Sequence, residues 1–186
     1  MPLYQRVLLA VTQPFIAVPM FLVAAEIGGG SSYTLVYSAF GITFSLLIMV
    51  PFVKPGPRQL TRIVAVLLGA TIIPIAAVHL GDSLFDVLLF LDSGYLAYLL
   101  GTTLHCVVLG VVLAIAAPLK TTFRYWASLV GVGAVTGAGL SYYVEHYLCI
   151  FKVCPAWYDW MFFPVLAFWS VGFVLAAYFG QIDRRE

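Results

Sequence analysis

The first 28 residues, MPLYQRVLLAVTQPFIAVPMFLVAAEIG (1–28), decide what kind of fold this chain adopts. Read as a secretory leader, the stretch has a small-residue cleavage pattern, VAA, just before Glu26. Read as a membrane span, it has an uncharged run from Val7 to Ala25 that is long for a leader's apolar region, and Gln13, Pro14 and Pro19 interrupt it. The second reading fits better, and a retained first membrane helix is expected here.

The remainder of the chain has the same character. Of its 186 residues, 63% are hydrophobic and 9% are charged. A soluble chain of this length has no interior large enough to hide so much apolar surface, so lipid has to cover it. Six apolar runs predict spans over 7–27, 35–53, 63–80, 95–117, 125–147 and 160–180. The expected fold class is therefore all-α, a polytopic six-transmembrane-helix bundle with short loops, and 1–186 forms a single integral membrane domain. In the third connection, Ser83 and Asp86 have capping spacing and Gly94 ends the turn. They predict a short helix over 83–92 lying along the outer surface, or else a re-entrant hairpin.

Charge orients the bundle. With six alternating spans, Arg6, Lys54, Arg58, Arg62, Lys120, Arg124, Arg184 and Arg185 fall on one side, and only Lys152 on the other. Basic residues mark the cytoplasmic face, so both termini are expected inside. The opposite face collects Glu26, Asp82, Asp86, Asp92, Glu145 and Asp159. Tyr142, Tyr143, Trp157 and Trp160 add an aromatic belt on that side, and Tyr4, Tyr125 and Trp126 one on the inner side. The expected location is a cell inner (plasma) membrane; the absence of asparagine hints at a bacterial genome. Small residues recur every fourth position at Gly133, Gly137 and Ser141, and again at Gly172, Ala176 and Gly180. Such stripes let helices approach closely, within the chain first and across a homo-oligomer second.

An ionisable or polar group inside a membrane is a functional candidate, because its burial is costly unless it is paired or wet. Gln13, Thr102 and His105 are the candidates at depth. His105 lies near mid-depth with Thr102 three residues before it on the same face, suited to an interhelical bond or to lining a pore. Haem is not expected, because no second imidazole lies at that depth. At the outer ends, Glu26, His79, Asp82, Glu145 and His146 make a carboxylate and imidazole set that suits a divalent metal if the helices converge. Cys149 and Cys154, spaced C-x4-C on the oxidising side, predict a structural disulfide.

The segment GLSYY, around Ser141, resembles the serine motif of rhomboid-type intramembrane proteases over four residues. The resemblance implies a histidine on a later helix, and the run 160–180 has none, so a protease is not the reading taken. No phosphate-binding loop occurs, and the basic residues are dispersed, which argues against nucleic acid as a partner. Six-helix vitamin-capturing subunits of energy-coupling transporters are similar in size and topology, a likeness of fold alone. Three functions are compatible with these observations. The first is a small transporter or permease, or a substrate-binding membrane subunit, for a small solute or ion. The second is a non-catalytic subunit or assembly factor of a membrane complex, with partner membrane subunits. The third is a membrane metalloenzyme or redox protein using the outer His/Glu cluster. An enzyme is the less expected outcome.

Overall fold

The computed structural model describes residues 1–27, 38, 41–73, 94–117, 119–147 and 162–182. Among them there are six helical segments and no strand. They are α1 (Leu3–Ile27), α2 (Gly41–Phe52), α3 (Gln59–Ile73), α4 (Gly94–Ala116), α5 (Phe123–Tyr147) and α6 (Phe162–Ile182). The short helix expected over 83–92 lies outside the described residues.

Length sorts the helices. At 1.5 Å per residue, α1 and α5, each of 25 residues, reach about 37 Å, and a hydrocarbon core is about 30 Å thick. Among the described residues, two stretches, Tyr98–Ala116 in α4 and Phe163–Ile182 in α6, are both long and apolar enough to cross such a core. Over their described lengths α2 and α3 fall short of a span. α5 carries Gly, Ser, Tyr and Trp among its apolar residues, and α1 carries two prolines and Gln13. Pro14 and Pro19 remain inside α1 without breaking it. A missing N–H is tolerated in an apolar helix when packing fixes the path.

α2 is not a regular helix. Its backbone is α-helical at 41–44, widens to a π-helix over Ser45–Met49, then tightens to a 3₁₀ turn over Val50–Phe52. Val50 donates its N–H to the Ser45 carbonyl five residues back. Pro51 follows with no N–H to give, and this ends regular winding. The Ser45 hydroxyl folds back on the Gly41 carbonyl at 2.6 Å.

The helices close into a ring in chain order. α1 packs on both α2 and α6, α4 on α5, and α5 on α6. α2 meets α3 where Gly41 lies against the backbone of Ala70, so close that a Cβ would overlap its carbonyl. α3 meets α4 where Gly69 faces Val112. The small-residue stripes are spent inside this ring. A Cβ on Gly133 would stand 2.5 Å from the Thr103 Cα, one on Gly137 would collide with the Thr102 hydroxyl, and one on Gly172 would stand 2.6 Å from a Val132 methyl. Two bonds seal one end: the Lys120 N–H donates to the Gly180 carbonyl at 2.8 Å, and the Tyr125 hydroxyl to the Gly110 carbonyl at 2.6 Å.

Apolar side chains are exposed at mid-height on every helix: Phe15, Leu46, Leu68, Leu104, Val135 and Phe168 are all between 48% and 61% accessible. Polar side chains occupy the interior instead, among them Gln13, Thr43, Ser45, Thr136 and Ser170. Only 28% of the Tyr98–Ala116 stretch is buried, unlike the central helix of a water-soluble core.

Candidate functional site

The interior polar groups form a seam across three helices. On α1, residues Arg6, Ala10, Gln13 and Ala17 share the buried face, as a spacing of four, three and four residues requires. The two alanines leave room on either side of the one amide. Ser170 of α6 donates its hydroxyl to Gln13 Oε1 at 3.1 Å, and Gln13 Nε2 points to Thr43 Oγ1 of α2 at 3.5 Å. Gln13 and Ser170 are fully buried, and Thr43 is 4% exposed. Thr43 precedes the π-helix by two residues, so the seam reaches α2 where its winding changes.

Next to Thr43, the ring of Phe44 stacks on Trp169 of α6 at 4.6 Å and meets Phe173 edge-on at 5.2 Å. Trp169 in turn lies 5.5 Å from the His105 ring of α4. A line of rings thus crosses the middle of the bundle from α2 to α4. His105 Nε2 is buried without a hydrogen-bond partner, and so is Thr136 Oγ1 of α5. The Cys106 thiol, next to His105 in the chain, is fully buried.

Thr102 shares a face with His105, yet its hydroxyl is engaged elsewhere. Its one O–H is shared between the Tyr98 carbonyl at 2.7 Å and the Gly133 carbonyl of α5 at 2.8 Å. The glycine that permits the approach therefore also supplies the acceptor. At the end of the ring near the chain termini, Arg6 donates to Gln181 Oε1 at 2.7 Å, and its guanidinium lies 4.1 Å over the Phe52 ring. That arrangement joins α1, α6 and α2 below the seam.

The outer residues are placed only in part. Glu26 lies in α1, and Glu145 and His146 lie in α5, but their side chains are outside the described set, as are His79, Asp82, Cys149 and Cys154. Among the described residues, no group of three or more His, Cys, Asp or Glu gathers around a metal-sized site. Surface recesses occur among the described residues. One of about 420 Å³ lies between Arg62, Lys120 and the end of α4, and one of about 480 Å³ lies between Arg124, Ser128 and Phe179.

Sequence reasoning singled out Gln13 and His105 but passed over Thr43, Thr136, Trp169 and Ser170. A lone hydroxyl or indole in an apolar helix is ordinary, and only its position opposite Gln13 or His105 gives it weight. Comparison with protein-family models, with curated proteins and with solved structures gave no match to this chain.

Proposed function

We propose that this chain is a multi-pass membrane protein whose helix ring carries a small solute across the bilayer. The observation that carries the reading is the buried seam of Ser170, Gln13 and Thr43 on three different helices. Polar groups are costly inside a bundle bathed in lipid, and in a carrier they can exchange partners with a solute as well as tie helices together. The irregular winding of α2 supports it, since π-turns recur at functional sites and discontinuous helices frame midplane sites in transporters.

The membrane part of the reading rests on several features. Apolar side chains are exposed on all six helices, α4 and α6 are apolar enough to span, and charge is absent from 7–25 and from 125–144. A monomer in water would not leave so continuous an apolar surface uncovered. The six-span topology with both termini in the cytoplasm follows from the distribution of basic residues.

The test is reconstitution of the purified chain into phosphatidylethanolamine and phosphatidylglycerol vesicles, with solute entry followed by light scattering. Faster entry of a probe than into protein-free vesicles, reduced by Gln13→Leu, is the expected outcome. Entry no faster than into protein-free vesicles, for every neutral and ionic probe, would overturn the carrier reading and favour a subunit of a larger membrane complex.

A further inference from the structure

We propose that the recess between α3 and the end of α4 holds the headgroup of an anionic phospholipid, with Arg62 and Lys120 on its phosphate and an acyl chain along the outer face of α4. This inference rests on the membrane part of the reading above and not on the carrier part.

The packing of α3 on α4 builds the recess. Gly69 of α3 lies against Val112 of α4. Arg62 precedes Gly69 by seven residues, close to two full turns, so it emerges on the same side of α3 at the end of the ring near the chain termini. α4 runs the opposite way, and its residues 114–117 come to the level of Arg62. Lys120 is fixed at that end by its backbone, whose N–H donates to the Gly180 carbonyl of α6 at 2.8 Å. These groups bound a space of about 420 Å³.

The charge around it has one sign. Arg62 and Lys120 come from different elements, and no carboxylate among the described residues lines the recess. The partial negative charge at the end of α4, about half an elementary charge, offsets only part of two full positive ones. The excess is met by an anion placed between them, which turns their mutual repulsion into two attractions. The recess beside it repeats the pattern, with Arg124 and Ser128 against Phe179 and again no carboxylate among the described residues. In the expected six-span order, that side of the membrane carries eight basic residues against Asp183 and Glu186.

Apolar surface makes the anion a lipid. Ile115, 80% exposed, lines the recess, and Val111 and Leu104, 40% and 61% exposed, continue the same outer face of α4 at spacings of four and seven residues. α3 adds Leu68 and Ile72, both exposed. A free phosphate would meet the two cations and leave this track bare, whereas a phospholipid uses both. Any bilayer lipid covers the track, so the headgroup decides which lipid takes the place.

The full chain in dodecylmaltoside is titrated with dioleoyl-phosphatidylglycerol or dioleoyl-phosphatidylcholine, and bound lipid is counted by native mass spectrometry. Phosphatidylglycerol should bind about tenfold tighter or better. Arg62→Gln and Lys120→Gln should each weaken it about fivefold and together about thirtyfold, the worth of one surface cation apiece, with phosphatidylcholine unchanged. Lys120 is exposed, so its variant keeps the test open should Arg62→Gln fail to fold. Lys54→Gln removes an exposed charge from the same side but outside both recesses, and should change little. Equal affinity for the two lipids, or equal losses from Lys54→Gln and Lys120→Gln, overturns the inference. Displacement of phosphatidylglycerol by millimolar inorganic phosphate makes the recess a free-anion site and overturns the lipid as its occupant. Carbonate extraction from phosphatidylethanolamine and phosphatidylglycerol vesicles keeps the two levels apart. A chain stripped by carbonate loses the membrane reading and this inference together; a chain that stays but shows no lipid preference loses the inference alone.

Discussion

The hydroxyl of Ser170 and the side-chain amide of Gln13, separated by 157 residues in the chain, meet at 3.1 Å in the fully buried interior. Their bond holds the last helix against the first and closes the ring. Gln13 is the hub, because its other end points to Thr43.

Replacing that hub by an apolar residue of similar size should be felt across three helices. Gln13→Leu is expected to lower stability by about 1 kcal/mol, the net worth of a buried hydrogen bond. The double variant Gln13→Leu with Ser170→Ala should cost little more than Gln13→Leu alone, since one bond cannot be lost twice. Detergent-based equilibrium unfolding measures both, and strictly additive losses would contradict the seam.

The glycines of α5 divide into two classes. Gly133→Ala should destabilise by about 1–3 kcal/mol, because its methyl meets the α4 backbone, which cannot move aside alone. Gly131→Ala and Gly139→Ala, whose methyls meet open space, should be neutral or stabilising by up to about 1 kcal/mol. Melting temperatures of the three variants decide it; equal effects would mean that α5 does not present the 133–137 face to α4.

Arg6 joins α1, α2 and α6 through geometry that lysine does not share. Its planar guanidinium lies over Phe52 while donating to Gln181. Arg6→Lys keeps the charge but is expected to cost about 1 kcal/mol. Hydrogen exchange at the amides of 178–182 should speed up in step. A variant with parental stability and unchanged exchange would show that charge alone suffices at this position.

Topology is open to chemical labelling. In a chain whose native cysteines are replaced by serine, Lys54→Cys and Lys120→Cys lie in the second and fourth connections of the expected six-span order. An impermeant maleimide should reach both only after the membrane is opened. Labelling of one and not the other in intact cells would rule out that order, and labelling of both would reverse it. In the native chain, Cys149 and Cys154 should react only after reduction; ready reaction without reductant would remove the proposed disulfide.

What could be read along the chain was whatever depends on runs of neighbouring residues. Apolar runs and turn residues mark the helices. α4 begins at Gly94, one residue before the expected 95, and α1 begins at Leu3, before the apolar run at Val7, because the first turn of a helix does not need apolar residues. The irregular winding of α2 was not legible, since neither the serine nor the proline by itself demands a π-turn. That Gln13 needs a partner was legible, because an amide in an apolar helix is costly wherever its partner lies.

The partners themselves were decided only by tertiary structure. Nothing near Gln13 in sequence names Ser170, and nothing near His105 names Trp169, which lies 5.5 Å away across the bundle. The stripe at Gly133 and Gly137 was expected to pack within the chain first, but nothing in it named α4 as the helix lying against it. Hydropathy and charge act locally and on average, so the sequence alone determined the helical class, the uncharged middle of every apolar run and the uneven distribution of basic residues. Which faces meet depends on shape and hydrogen-bond complementarity between residues far apart in the chain, and the packed ring is where that choice is made.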